Sequence, residues 1–177
     1  MNKKRIWLFI PAILFPYVVL AFLGILFFSS RMSLDLMEVL FRDNIWLYLL
    51  AFLGYILLAF GLCLAGFSLA LAKKWDAASL AKTAWIVKLI QIPAYLAIFA
   101  LGVLFLTTIF LFVFTLVLML LDYVSILMSG MLTSAAVLNG SRSGKIRMKR
   151  NIWIIILQFI FCADVVAAGI CHRRLKK

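Results

Sequence analysis

Long apolar runs almost free of charge, broken by short clusters that are mostly positive, leave this chain one workable solvent: lipid. Between Leu89 and Leu138 the only charged side chain is Asp122. As a single helix that stretch would run about 75 Å, against a hydrocarbon core of about 30 Å. It must therefore fold back on itself. Thr107-Thr108 is the expected turn, giving spans over 85–106 and 112–138.

Composition excludes the alternative. The 177 residues are 67% hydrophobic and 14% charged, with a mean hydropathy of +1.18. A soluble domain of this size is about half apolar and a quarter charged, and could not hide the excess, because surface shrinks too slowly relative to volume. The expected fold is all-α: a polytopic transmembrane helical bundle forming one integral membrane domain over residues 1–177. Spans are expected at about 6–28, 45–72, 85–106, 112–138 and 152–170. Five crossings are the reading adopted, with four as the alternative. Lys3-Lys4-Arg5 ahead of Ile6–Phe28 resembles a signal peptide, but the apolar stretch exceeds a usual signal core of about 7–15 residues. An uncleaved first span is expected.

Charge orients the bundle. Of the charged residues, 18 are Lys or Arg and 6 are Asp or Glu, a net charge of +12. The basic residues sit mainly at the ends of apolar runs, where cytoplasmic connections concentrate them. The expected location is the cell membrane, multi-pass, with a cytoplasmic N-terminus. Five crossings would put 12 basic residues inside and 6 outside; a last segment that dips in and returns would put 16 inside and 2 outside. The second split obeys the rule better, but 152–170 is long enough to cross. No basic, aromatic-interleaved stretch reads as a nucleic-acid surface.

The connections have their own patterns. Leu34, Met37, Leu40 and Phe41 recur at helical spacing and predict a short interfacial helix over 33–42, with Ser33 as N-cap. Asp76 can cap a second interfacial helix over 76–84. Gly61-x-x-x-Ala65 and Gly66-x-x-x-Ala70 are small-residue pairs that let membrane helices approach closely. Trp7, Trp46, Trp75, Trp85 and Trp153 fall near predicted span ends, at headgroup level.

A few polar groups are placed expensively. Asp164 lies deep in the last predicted span, where a carboxylate costs about 2.5–3.5 kcal/mol on insertion scales. Gln158 precedes it on the same span. Asp122, Ser125, Ser129, Thr133, Ala136 and Gly140 form one small or polar stripe along a helix, which either lines a path or forms a seam with another helix. Lys88, with Gln91 just before Pro93, is expected to snorkel to the interface. The loop carrying Arg142, Lys145, Arg147, Lys149 and Arg150 is expected to hold anionic lipid headgroups or contact a partner. Its Gly140-Ser141-Arg142-Ser143-Gly144-Lys145 fails the P-loop test on spacing, on the missing hydroxyl and on the missing strand.

Catalysis is disfavoured. His172 is the single histidine and lies in a charged tail, and no hydrolase or metalloprotease motif appears. Three cysteines, Cys63, Cys162 and Cys171, match no metal-ligand spacing. No enzyme activity, cofactor or metal is expected. Two readings follow. The chain is a small transport or channel-type subunit using an intramembrane carboxylate, or a non-catalytic accessory protein that binds partner membrane proteins, or itself, through small-residue seams and the basic loop. A cavity reaching Asp164 favours the first; dry packing around it favours the second.

Overall fold

The computed structural model describes residues 7–28, 36–107, 111–160 and 163–176, and nearly all of them are helical. The elements are α1 (Ile10–Phe28), α2 (Leu36–Phe41), α3 (Ile45–Ala72), α4 (Ala77–Leu106), α5 (Phe112–Arg142), α6 (Met148–Leu157) and α7 (Ala163–Lys176). Four helices are long and apolar enough to cross a membrane: Trp7–Phe27, Ile45–Ala72, Ala77–Leu106 and Phe112–Arg142. The protein is a multi-pass, all-α membrane bundle.

Local chemistry sets the ends. Asn44 caps α3, its Oδ1 accepting from the N–H groups of Trp46 (2.9 Å) and Leu47 (3.3 Å). At the far end of α3, Asn139 of α5 donates from Nδ2 to the carbonyls of Ala70 (2.9 Å) and Trp75 (3.1 Å), which satisfies groups a helix terminus leaves open. Asp76 caps α4 by accepting from the Ser79 N–H (2.9 Å). The Ser79 N–H first, with Lys145 beside it at 3.1 Å, holds the Asp76 carboxyl down at about 2.

Three expectations change. The segment 76–84 is no separate interfacial helix; it is the first two turns of α4, which runs unbroken to Leu106. The expected span 152–170 is two helices, α6 and α7, separated by a turn at Gln158–Phe159. They double back as an antiparallel pair. Arg174, near the end of α7, donates from Nη1 to Asn151 Oδ1 in the first turn of α6 and lies over the Trp153 ring at 5.4 Å. At the other end, Gln158 Nε2 donates to the Asp164 carbonyl at 3.2 Å. The hairpin's two ends lie together at one end of the bundle, so the described residues form four long apolar helices and one helical hairpin. Finally, Gly61 and Ala65 do not form a seam within the chain. Gly61 has nothing within 4 Å of where a Cβ would lie, whereas one at Gly66 would sit 2.8 Å from the Phe9 ring. Part of the 33–42 expectation, including Ser33, lies outside the described residues; its remainder is α2. The turn expected at Thr107-Thr108 falls where α4 ends and precedes α5, although 108–110 are outside the described residues.

α5 is the central element and touches α1, α3, α4, α6 and α7. Its stripe faces inward: Asp122, Ser125, Ser129, Thr133, Ala136 and Gly140 are all buried. Glycines leave room for neighbouring side chains in this packing. A Cβ on Gly140 would lie 2.7 Å from Leu175 Cδ2, and one on Gly169 2.9 Å from the Trp85 ring. Trp85 is thus wedged between α4 and α7 rather than standing at a span end. Trp7 and Trp46 are exposed at helix starts. The outward face of α3 is a leucine surface, with Leu50, Leu53, Leu57 and Leu58 exposed, as a lipid-facing helix requires.

Candidate functional site

Pro16 starts the chain of polar contacts that defines the site. A proline has no N–H, so the carbonyl four residues earlier loses its helical donor. That carbonyl is Ala12. Gln91 of α4 supplies the missing hydrogen bond, Nε2 to Ala12 O at 2.8 Å, and is itself fully buried. Its Oε1 accepts from the Tyr95 hydroxyl (3.1 Å), which also shares a hydrogen bond with Ser125 Oγ (3.2 Å). One α4 face therefore links α1 to the α5 stripe.

One turn towards the start of α4 lies Lys88. The structure corrects the snorkelling expectation: Lys88 is fully buried and ion-paired with Asp164 Oδ2, while donating to Ser129 Oγ at 2.6 Å. α4 begins at Ala77, so Lys88 stands about 17 Å along its axis, and its ammonium turns into the bundle towards α5 and α7. Ser129 passes its hydrogen on to the Ser125 carbonyl (2.9 Å), as membrane-helix hydroxyls commonly do.

Asp164 also changes place. It was expected in mid-helix; it sits in the first turn of α7, at the tip of the hairpin, 2% exposed. There the Val165 N–H donates to its Oδ1 at 2.8 Å. A helix start offers free N–H groups and a favourable dipole for a carboxylate. Gln158, expected on the same helix as Asp164, bridges the turn instead. The tip rests on α5 at Gly130, whose Cβ would lie 3.4 Å from the Gln158 carbonyl. At the described end of the turn Gln158 is fully buried against α5, while Ile160 is exposed.

The remaining members of the stripe divide. Asp122 is buried, and its Oδ1 has no hydrogen-bond partner among the described residues; the same holds for Thr133 Oγ1 and Gln158 Oε1. Asp122 lies within electrostatic range of both Lys88 and Asp164. Buried polar atoms without partners are uncommon; Ser134 Oγ on α5 and His172 Nδ1 on α7 are further examples among the described residues.

Beyond the hairpin tip a groove of about 280 Å³ opens, lined by Ile92, Tyr95, Leu96, Phe99, Ile126, Asp164 and Val165. Among the described residues, none fills the space between α4 and α5 beyond Asp164 and Val165. Leu96 and Phe99 are 64% and 60% exposed, so the groove opens sideways, towards lipid. Its floor is the Asp164 end.

The basic loop is only partly free. Arg142 Nη1 donates to the Leu71 carbonyl (3.2 Å) and Lys145 pairs with Asp76. Arg147, Lys149 and Arg150, at the start of α6, are exposed. Among the described residues no three of His, Cys, Asp and Glu come together as a metal site needs. Cys63 and Cys171 are buried free thiols; Cys162 lies outside the described residues.

Comparison of the chain with protein-family models, with curated proteins and with solved structures finds no match. Function has to be argued from the site's own chemistry.

Proposed function

We propose that the protein is a small, non-enzymatic transport-type subunit of the cell membrane, with a cytoplasmic N-terminus, that handles a guest in the groove above Asp164. The observation that carries this reading is the groove itself. An accessory protein has no need of a cavity that ends on a buried carboxylate, and an apolar pocket with a few convergent polar groups is the usual form of a small-molecule site. Intramembrane ionisable residues mark substrate or ion pathways by default. Lys88, Asp164 and Asp122 supply three, with Tyr95 and Ser125 linking them to the rest of the bundle.

The distribution of charge supports the orientation. The hairpin brings Arg142 to Arg150 and Arg173 to Lys176 to the end of the bundle that already holds Lys73 and Lys74, while Arg42 lies at the other. A membrane protein keeps such an excess on the cytoplasmic side, where Arg147, Lys149 and Arg150 would meet anionic headgroups.

The accessory reading keeps one observation: Gly54 and Gly61 on the exposed face of α3 meet nothing within 4 Å. Mass spectrometry of protein purified in mild detergent separates the two. The transport reading expects a small molecule that is retained by the wild type and lost from Leu96→Trp and Val165→Phe, both of which fill the groove. A stoichiometric partner protein lost from Gly61→Leu, with no small molecule affected by the groove variants, would refute it.

A further inference from the structure

At the basic end of the bundle α4 and α7 leave a second cleft between them, of about 260 Å³. Ala78, Ser79 and Lys82 line it from the first turns of α4, and His172 and Lys176 from the last turns of α7. Ser79 lies about 14 Å along the α4 axis from Lys88, and the cleft shares no lining residue with the groove at Asp164. Each helix brings two polar side chains one turn apart, Ser79 with Lys82 and His172 with Lys176, a spacing that puts both on one face. Among the described residues no carboxylate lines the cleft. Asp76, three residues before Ser79, is committed to the Ser79 N–H and to Lys145. Lys82 and Lys176 are exposed and have no ion-pair partner among the described residues. The His172 Nδ1 is buried and likewise lacks a hydrogen-bond partner there. Two uncompensated ammonium groups beside a hydroxyl and an imidazole suit a phosphate, which lysine binds as a point charge and neutral donors complete.

The surface beside the cleft selects the source of that phosphate. Lys82, Ile86 and Leu89 share one face of α4, at spacings of four and three, and Ile86 and Leu89 are each 44% exposed. One turn beyond the lysine, the face becomes apolar and outward. We propose that the cleft binds the headgroup of an anionic phospholipid, with its phosphate between Lys82 and Lys176 and an acyl chain along Ile86 and Leu89. Basic pockets between membrane helices on the cytoplasmic side take such headgroups. A headgroup that carries its own amine or quaternary centre finds no acid in the cleft to pair with, so phosphatidylglycerol is preferred to phosphatidylcholine. The cleft is separate from the groove, so its occupancy is independent of the transport-type reading.

Native mass spectrometry of the full-length protein, released from detergent micelles doped with one lipid at a time, counts bound lipid and gives its apparent affinity. We expect one tightly held phosphatidylglycerol, with phosphatidylcholine bound at least about tenfold more weakly. Lys82→Gln with Lys176→Gln is expected to weaken the phosphatidylglycerol about tenfold. Lys73→Gln with Lys149→Gln removes the same charge from exposed positions at the same end of the bundle but outside the cleft. That pair is expected to change the affinity less than about twofold. Thermal unfolding shows that each variant is folded. Equal losses in the two pairs would mean that the lipid answers to overall charge and not to the cleft, and would overturn the site, as would equal binding of the two lipids. Inorganic phosphate at millimolar concentration is expected to leave the lipid in place; displacement would overturn the lipid assignment and give the cleft to a soluble phosphate compound.

Discussion

Lys88 of α4 and Asp164 of α7 are partners at the tip of an inward-folded hairpin, and both are sealed from solvent. Removing one member of such a pair leaves a bare buried charge, which costs about 3–5 kcal/mol, whereas replacing both with apolar residues of similar size is often neutral. Lys88→Met and Asp164→Leu are each expected to lower the unfolding temperature sharply in detergent. The double variant is expected to recover most of the loss. If the double variant were as unstable as the sum of the singles, the pair would not be the tie between α4 and the hairpin.

Gln91 and Pro16 give a second cycle. Gln91→Leu leaves the Ala12 carbonyl without a donor and is expected to cost about 1–3 kcal/mol. Pro16→Ala restores the helical N–H that would serve that carbonyl. In the Pro16→Ala background, Gln91→Leu should therefore cost less, with the difference read as a coupling energy from thermal unfolding. Equal costs in the two backgrounds would mean that Gln91 is held for another reason.

Asp76 predicts a pH dependence. Its carboxyl is held at about 2 in the folded chain by the Ser79 N–H and Lys145, below the ordinary value of about 3.9. The unfolded chain therefore binds the extra proton first as pH falls. The stabilisation is complete above about pH 5 and is lost progressively from about pH 4 to about pH 2. Because Asp76 is half-exposed, solvent screens the ion pair and the cap dominates. Asp76→Ala is expected to cost about 1 kcal/mol at neutral pH and less in acid, as unfolding midpoints of the two proteins converge.

The hairpin predicts sidedness. Cysteines introduced at Lys145 and at Lys176 are expected to react with a membrane-impermeant maleimide from the same side, and one at Arg42 from the opposite side. Buried Cys63 and Cys171 contribute little background. Labelling of the Lys176 position from the Arg42 side would make α6 and α7 a crossing after all.

The parts of this architecture that are local in sequence could be read there. The four long helices follow from four runs that water cannot solvate, and the α5 stripe from spacing along one helix. Asp76 was visible as a cap, yet following that cap through would have joined 77–84 to α4 and placed Lys88 three turns deep. That position is where the sequence could have pointed to a buried lysine, three turns into a long apolar helix. The hairpin was legible in the count of basic residues, which favoured a last segment that dips in and returns, but its turn at Gln158 was not. Neither glycine nor proline marks it, and what stabilises it is remote: Lys88 on Asp164, Gly130 beneath the tip, Trp85 against Gly169. The Gln91 contact was legible in half, because Pro16 names the orphaned carbonyl but only the fold shows who serves it.

The doubling back of α6 and α7 has a consequence for biogenesis. Arg173, Arg174 and Lys176 end beside the ring of cations from which α6 set out. Hauling each of those charges through a bilayer would mean working with or against the transmembrane voltage, at about 2.3 kcal/mol per charge per 100 mV. With the basic end on the cytoplasmic side, as proposed, none of them has to cross: once the fourth long helix is in place, α6 and α7 can slot into a gap their predecessors have already built.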